Sequence, residues 1–264
     1  MDQDNSVKSQ LIPRAPLAVL ALVFLSLTTP GMGQDNFSEV YVENHRCLVS
    51  QPDDLAPDAP VVLILHGFGT NEEEPLGYYQ QLELPPCLLV LPDGPLPVAR
   101  LPAGARAWYD RFTHSRKDME KSRDYLFEIM DYFSKDQADP PTPGENPKPR
   151  PVIILGISQG AVMALEAGLN YKGNIRAIVS MSGFIEYPEK TLAHPSAPRD
   201  TPILLIHGTW DPVIQEEDTL ETMKSLKWAG YHPVLKEFKT GHDRTVDEID
   251  EVSSFLGEVI VQNR

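Results

Sequence analysis

The sequence predicts an α/β fold in which a mostly parallel central sheet carries helices on both faces. Short apolar runs rich in Val, Ile and Leu alternate along the chain with longer segments of helical period. The runs are hydrophobic at successive positions, as in residues 61–65, which is typical of strands buried on both faces. A chain of 264 residues, 41% of them hydrophobic, is long enough for one large domain.

The apolar runs give the order of the strands. An opening pair of strands is predicted over residues 40–42 and 47–50. The strands that follow are predicted over residues 61–65, 88–91, 152–155, 175–181, 203–206 and 234–238. Strands and helices alternate, as the predicted fold requires.

Apolar residues at helical spacing predict four helices, over residues 119–133, 160–169, 217–228 and 247–261. Six prolines in residues 139–151 exclude a helix interior or a central strand there, because proline fixes φ and lacks a donor. We interpret this segment as a surface insertion within one domain, and the proline-rich residues 92–102 as a second loop.

The charge balance limits the class of partner. Lys and Arg number 23 against 38 Asp and Glu, which gives a net charge of -15. Nucleic acids and anionic membrane surfaces would be repelled by this charge, so neither nucleic acid nor a stable membrane partner is expected. A small-molecule partner is compatible with it, and the oligomeric state is left open.

The N-terminus carries a targeting signal. An apolar run over residues 17–27 follows two basic residues and is too short to span a bilayer. Small residues at Gly31 and Gly33 suit a signal-peptidase site, so we predict a signal peptide over residues 1–33 and one domain over residues 34–264. The protein is then secreted or periplasmic; the alternative is an uncleaved interfacial anchor.

Two cysteines, Cys47 and Cys87, lie in apolar, strand-like stretches. In an exported protein such a pair can be oxidised, whereas a buried free cysteine behaves as a small hydrophobic residue. Both states are left open. No CxxC motif and no cluster of Cys with His is present in the sequence, so no thiolate metal site is expected.

A GxSxG motif lies between a predicted strand and a predicted helix, with Ser158 at its centre and Gly156 and Gly160 at its ends. A nucleophile elbow requires this order of strand, strained turn and helix, and it requires glycine where a side chain would clash. The motif alone is weak, but its position favours Ser158 as the nucleophile over a serine that merely caps a helix.

A serine nucleophile needs a base to accept its proton and an acid to orient that base. In folds with this turn the partners follow in the order Ser, Asp or Glu, His. Asp211 follows the predicted strand 203–206, and His242 follows the predicted strand 234–238. The alternatives are a helix N-cap for Asp211 and a solvated loop residue for His242.

Acyl transfer also needs donors for the oxyanion. The backbone N–H of Gln159, directly after the candidate nucleophile, is the first candidate donor, aided by the helix dipole. Phe68 supplies the second from the loop after the strand 61–65, where Gly67 and Gly69 let the backbone approach a substrate. His66 is interpreted as a structural residue rather than a metal ligand.

Six segments together resemble a known family. They are LHGFGTNEEEP (65–75), ARAWYD (105–110), GISQGA (156–161), SMSGF (180–184), HGTWDPVI (207–214) and GHD (241–243). In this order they resemble the phospholipase/carboxylesterase branch of the α/β-hydrolases, which includes acyl-protein thioesterases. The resemblance spans about residues 40–261 and implies the α/β-hydrolase fold.

The resemblance implies a cofactor-free serine esterase with no metal, whose catalytic residues correspond to Ser158, Asp211 and His242. The oxyanion donors correspond to Phe68 and Gln159, as the residues themselves predict. It also implies that Trp108 lies near the acyl-binding pocket as a substrate-binding residue; an ordinary core tryptophan is the alternative. The predicted signal peptide and the proline-rich insertion depart from the cytosolic thioesterases.

The expected function is a serine carboxylesterase that hydrolyses short to medium acyl esters through an acyl-enzyme intermediate. A serine peptidase would use the same residues, and a non-catalytic binding protein could share the fold. The short polar segment 186–200 leaves no room for a large lid, which favours soluble esters over lipid aggregates.

Overall fold

A computed structural model describes the chain from residue 37 to residue 261, except residues 54, 72–73, 100 and 136–147. The predicted signal peptide lies outside the described residues, as does most of the proline-rich segment 139–151. Within the part of the chain that is described, no helix is both long and apolar enough to cross a membrane.

The main sheet has eight strands, and a two-stranded sheet lies beside it. The strands are β1 (Phe37–Val42), β2 (His45–Ser50), β3 (Val61–Leu65), β4 (Leu88–Pro92), β5 (Leu96–Pro97), β6 (Arg106–Ala107), β7 (Val152–Ile157), β8 (Ile175–Met181), β9 (Ile203–Gly208) and β10 (Val234–Phe238). The helices are α1 (Glu74–Tyr79), α2 (Arg116–Ser134), α3 (Gln159–Asn170), α4 (Pro188–Thr191), α5 (Glu216–Trp228) and α6 (Val246–Val261).

The main sheet runs in the order β1-β2-β4-β3-β7-β8-β9-β10. β1 and β2 form a hairpin whose turn residues Glu43 and Asn44 have φ values of 48° and 74°, as a type I′ turn requires. β2 pairs antiparallel with β4, and every pair from β4 to β10 is parallel. The carboxyl ends of six strands therefore lie along one edge of the sheet.

Helices cover both faces of the sheet. Apolar residues of α2, α3 and α5 pack on one face, as Leu126, Leu165 and Leu226 do, and α6 packs on the other through Val252 and Leu256. The central strands β3, β4, β7 and β9 are buried at every position, which explains why their sequences are mostly apolar rather than alternating. The predicted α/β architecture is confirmed.

Short elements are where the sequence prediction was incomplete. The proline-rich residues 92–102, predicted to be a loop, contain β5, which pairs with β6. Helices α1 and α4, of six and four residues, were not predicted because each is too short to show a helical period. α4 lies in the polar segment 186–200.

Cys47 and Cys87 are both buried, and they are not joined by a disulfide. Cys47 belongs to the apolar core on the α3 side of the sheet, and Cys87 belongs to the core on the α6 side. The sheet separates the two sulfurs, so of the two states left open by the sequence the structure shows the reduced thiols. Burial raises the pKa of the Cys47 thiol well above its usual range, which makes it a poor nucleophile.

Helix α3 approaches the strand β3 more closely than a side chain would allow. A Cβ atom added at Gly160 would lie 2.4 Å from the carbonyl oxygen of Leu65 and 2.5 Å from that of His66. Both are backbone atoms, so the clash could be relieved only by moving α3 away from the sheet. By contrast, an added Cβ at Gly257 in α6 would meet no atom within 4 Å.

These two helical glycines predict opposite effects of the same substitution. Gly160→Ala should lower the free energy of unfolding by about 3 kcal/mol, because overpacking here involves backbone. Gly257→Ala should raise it by up to about 1 kcal/mol, because alanine favours the helix. Urea unfolding of both variants measures the effects, and a Gly160→Ala variant as stable as wild type would contradict the packing described.

Candidate active site

Ser158 lies on a strained turn between β7 and α3. Its φ and ψ are 54° and -118°, a conformation that L-residues rarely adopt. The turn is held by the Ser158 N–H, which donates to the carbonyl of Met181 in the neighbouring strand at 2.9 Å. A Cβ at Gly156 would lie 2.0 Å from the carbonyl oxygen of Gly160, so glycine is required there. The hydroxyl is thereby presented at the carboxyl edge of the sheet.

Ser158, His242 and Asp211 form a continuous hydrogen-bonded chain. Nε2 of His242 lies 3.0 Å from Oγ of Ser158, and Nδ1 lies 2.6 Å from Oδ2 of Asp211. The serine and histidine are half-buried, whereas the carboxylate of Asp211 has no exposed surface. The structure thus brings together three residues that the sequence places 84 and 31 positions apart.

Asp211 is fixed by contacts on both of its oxygens. While Oδ2 faces His242, Oδ1 accepts the N–H groups of Val213 and Ile214 at 2.8 and 3.0 Å. Burial alone would raise the pKa of Asp211, but the hydrogen bonds from His242, Ile214 and Val213 outweigh it and hold the pKa below its usual value. The carboxylate is therefore ionised at neutral pH and can stabilise a positive charge on the imidazole.

The loop that carries His242 is held by Glu248, which the sequence analysis missed. Oε2 of Glu248 accepts the N–H of Thr245 at 2.8 Å, and Oε1 accepts the hydroxyl of Thr240 at 3.1 Å. Glu248 is 2% exposed, so these bonds are made away from water. Thr245 and Glu248 have the T-x-x-E spacing of a capping box at the start of α6, a signal that could have identified the residue.

The loop after β3 lies beside the turn at Ser158, because β3 and β7 are adjacent strands. His66 on this loop is fully buried. Its Nε2 accepts the N–H of Gly94 at 2.8 Å, so Nδ1 carries the proton and donates to the carbonyl of Gly67 at 2.6 Å. His66 is therefore a structural residue, and among the described residues no group of three or more His, Cys, Asp or Glu could hold a metal.

Phe68 follows Gly67 in the loop after β3 and is half-buried. Gln159 is the first residue of α3. The two candidate oxyanion donors thus come from adjacent strand ends. The side chain of Gln159 has a separate role: its Oε1 accepts the N–H of Trp108 at 2.9 Å, and its Nε2 donates to the carbonyl of Tyr109 at 2.8 Å. This amide attaches the loop after β6 to the turn that carries Ser158.

Trp108 lies in the core. Its side chain is 0% exposed, its indole N–H donates to the carbonyl of His66 at 2.9 Å, and its ring stacks on that of Tyr125. The indole has no surface to offer a substrate, so the expectation of direct substrate packing is corrected in favour of the core alternative. Trp108 instead supports the loop after β3 from beneath.

His207 is a second buried histidine close to the site, at the end of β9. The hydroxyl of Thr219 donates to the carbonyl of Gly183 at 3.0 Å, so it must accept from Nδ1–H of His207 at 2.9 Å. Nε2 of His207 is buried and has no hydrogen-bond partner among the residues that the structure describes. Burial is the main cause that lowers the pKa of His207, which keeps this imidazole neutral beside Asp211.

The parallel sheet, the strand–Ser158–helix turn and the chain of Ser, His and Asp at the strand ends define the class of protein as an α/β-hydrolase. Residues 47–260 match the phospholipase/carboxylesterase family. The chain belongs to this family, whose members are hydrolases of esters, and the resemblance found in the sequence is confirmed.

Similar proteins agree with this assignment. Acyl-protein thioesterase 1 of Gibberella zeae is 33% identical over 41% of this chain and 48% of the relative, so the chain matches about half the length of that protein. Acyl-protein thioesterase 1 of Yarrowia lipolytica is 25% identical over 78% of this chain and 94% of the relative. Among solved structures, esterase PE8 is 28% identical with a TM-score of 0.64, over 80% of this chain and 99% of that one.

The buried state of His207 predicts a pH dependence of stability. The unfolded chain binds a proton at His207 below about pH 6.5, whereas the folded chain, with a lower pKa, does not. The free energy of unfolding should therefore fall as pH decreases from this value towards the folded-state pKa. His207→Asn keeps a donor to Thr219 and should reduce this slope by up to about 1.4 kcal/mol per pH unit.

The measurement is urea unfolding of wild type and variant between pH 8 and pH 5. His232→Asn is the matched control, because it removes an imidazole from an exposed position. An equal slope in wild type and His207→Asn would show that His207 does not titrate differently on folding.

Proposed function

We propose that this protein is a serine hydrolase that cleaves carboxylic esters through an acyl-enzyme intermediate, with Ser158 as nucleophile, His242 as base and Asp211 as acid. The observation that carries the proposal is the hydrogen-bonded chain from Ser158 Oγ through His242 to Asp211. Membership of the phospholipase/carboxylesterase family supports it.

In the first half of the reaction Oγ of Ser158 attacks the carbonyl carbon while its proton passes to Nε2 of His242. The negative charge on the carbonyl oxygen is stabilised by the N–H groups of Phe68 and Gln159. When the tetrahedral intermediate collapses, the bond to the alcohol oxygen breaks and His242 returns the proton to the leaving alcohol. Ser158 is then acylated.

In the second half a water molecule takes the place of the alcohol. His242 accepts a proton from the water, the hydroxyl adds to the acyl carbon, and the same N–H groups stabilise the new oxyanion. Ser158 leaves with the proton returned from His242, and the carboxylic acid is released. Asp211 stabilises the imidazolium in both halves and fixes its orientation.

The substrates we propose are short to medium acyl esters, including thioesters. The names of the relatives, acyl-protein thioesterases, support the extension to thioesters. Between β8 and β9, all of which is described, the chain forms the four-residue helix α4 and no larger cap. The absence of a large cap from this segment is compatible with small soluble substrates.

We further propose that residues 1–33 are a signal peptide and that residues 34–264 form the mature hydrolase domain. The support is the sequence alone: an apolar run over residues 17–27, preceded by basic residues and followed by Gly31 and Gly33. The protein would then act outside the cytosol on small-molecule esters.

Ser158→Ala tests the nucleophile. The variant should lose hydrolysis of 4-nitrophenyl acetate, butyrate and octanoate by at least about 10⁴-fold and should no longer react with a fluorophosphonate probe. Its unfolding should remain cooperative, because alanine differs by one oxygen. Retained probe labelling would assign the nucleophile to another residue.

Asp211→Asn tests the acid in the same assay. Because Val213 and Ile214 donate to Oδ1, the new NH₂ group would face His242. Nδ1 would then have to accept a hydrogen bond, Nε2 would carry the proton, and the base would be blocked. We expect a fall in kcat of about 10⁴-fold, the effect that this tautomer change has in serine proteases. Asp243→Asn is the control. Asp243 directly follows His242 in the same loop, and its replacement should leave the enzyme active.

The signal peptide is tested by expressing the full chain in a secretory host and sequencing the N-terminus of the exported protein. The expected mature protein begins at Gln34. Val23→Arg, which places a charge in the apolar run, should abolish export. A wild-type protein that stays in the cytosol with an intact leader would refute the proposal without affecting the catalytic one.

A further inference from the structure

Arg111 differs from the other arginines that the structure describes. Each of the others donates a hydrogen bond to a protein oxygen, either a carboxylate, a tyrosine hydroxyl or a backbone carbonyl. Among the described residues, Arg111 has no hydrogen-bond acceptor and no carboxylate within ion-pair distance. A guanidinium without a protein acceptor retains all five of its N–H donors.

Arg111 is nevertheless held in place by two aromatic rings. Its guanidinium carbon lies 4.9 Å from the ring centre of Phe68 and 5.3 Å from that of Phe112. Cation–π contacts of this kind use the face of the guanidinium and leave its N–H edge accessible. Phe112 is 82% exposed, so the group lies at the protein surface.

The position of Arg111 relates it to the reaction. Phe68, whose ring lies beneath the guanidinium, is the residue whose N–H we propose as an oxyanion donor. Two residues before Arg111, the carbonyl of Tyr109 accepts the side-chain amide of Gln159, which follows Ser158 directly. Arg111 therefore contacts the residue that carries one proposed oxyanion donor, and the segment to which it belongs is joined to the other by the hydrogen bond of Gln159.

Two acidic residues of the surrounding segments, Asp110 and Glu186, do not form an ion pair with Arg111. Oδ1 of Asp110 accepts the N–H groups of Phe112 and Thr113 at 2.8 and 3.3 Å. Oε2 of Glu186 lies 3.0 Å from Nδ1 of His114. The carboxylate geometry that suits a guanidinium fork is thus supplied by neither residue, although the chain has a net charge of -15.

We propose that Arg111 is a specificity-determining residue that binds a carboxylate carried by the ester substrate. The proposal rests on the proposed function and narrows its substrate class to esters with an anionic group near the cleaved bond. A planar guanidinium can bind a carboxylate through two parallel hydrogen bonds, which fixes orientation as well as charge. Arg111 takes no part in the bond-breaking steps.

Two pairs of esters distinguish the side of the bond on which the carboxylate lies. For the acyl side, mono-4-nitrophenyl adipate is compared with 4-nitrophenyl adipamate, its neutral amide. For the alcohol side, the butyrate ester of 4-hydroxybenzoate is compared with that of 4-hydroxybenzamide. Rates are corrected for spontaneous hydrolysis and measured near 0.15 M salt, where the Debye length is about 8 Å and the long-range charge of the protein is screened.

The readout is the ratio of kcat/KM for the anionic ester to that for its amide. Arg111→Met, which keeps an unbranched apolar stem but removes the guanidinium, should lower this ratio about tenfold in one of the two ester pairs and leave kcat/KM for the neutral amide unchanged. Arg111→Lys keeps the charge without the fork and should retain part of the ratio. Arg199→Met is the matched control, because Arg199 also stacks on an aromatic ring but precedes β9, at the opposite edge of the sheet.

An unchanged ratio in both pairs, with the amide esters still hydrolysed, would overturn the role of Arg111 and leave the proposed function intact. An equal fall for Arg111→Met and Arg199→Met would also overturn it, because the effect would then be one of net charge. If wild type hydrolyses none of the four esters and does not react with the fluorophosphonate probe, the proposed function itself fails and this inference fails with it.

Discussion

The contact between the backbone of α3 and the end of β3 is the constraint on which the site depends. Gly160 allows helix α3 to lie against the carbonyl groups of Leu65 and His66, and Gly156 allows the chain to reverse at Ser158. Any larger residue at either glycine would separate the helix from the sheet. The same contact brings the N–H of Gln159 close to the loop after β3, so one packing arrangement positions both the proposed nucleophile and the proposed oxyanion donors.

The parallel sheet then determines which loops can meet this turn. Because β7, β8, β9 and β10 are adjacent and parallel, their carboxyl ends lie along one edge. The loops after β9 and β10 are joined by backbone hydrogen bonds, from Thr209 to Phe238 at 2.8 Å and from Trp210 to Thr240 at 3.0 Å. The segments that carry Asp211 and His242 are therefore joined to each other by backbone hydrogen bonds just before the two residues.

The sequence predicted the large elements and the catalytic candidates because both depend on local patterns. Buried strands are apolar at every position, and Ser158 and Asp211 each follow such a strand, whereas His242 follows the partly exposed β10. The sequence did not predict α1, α4 or the β5–β6 pair, which are too short to show a period. It also placed Trp108 ambiguously, because the side chain of Gln159 that holds its backbone lies 51 residues away and no pattern within one segment reports such a contact.

Two buried polar side chains whose contacts the sequence did not predict share a physical role. Gln159 and Glu248 are buried beneath the loops of the site, where a backbone that leaves the sheet has lost its ladder partners. A buried polar group without a partner is costly, so each of these two side chains fixes its loop in the arrangement that satisfies its hydrogen bonds. Substitutions at these positions would act on the reaction through geometry, since a displacement of about 1 Å at the reacting groups is enough to reduce a rate about 10²-fold. The loops of the site are therefore specified by buried hydrogen bonds, whereas the sheet is specified by apolar packing, and only the second leaves a periodic signal in the sequence.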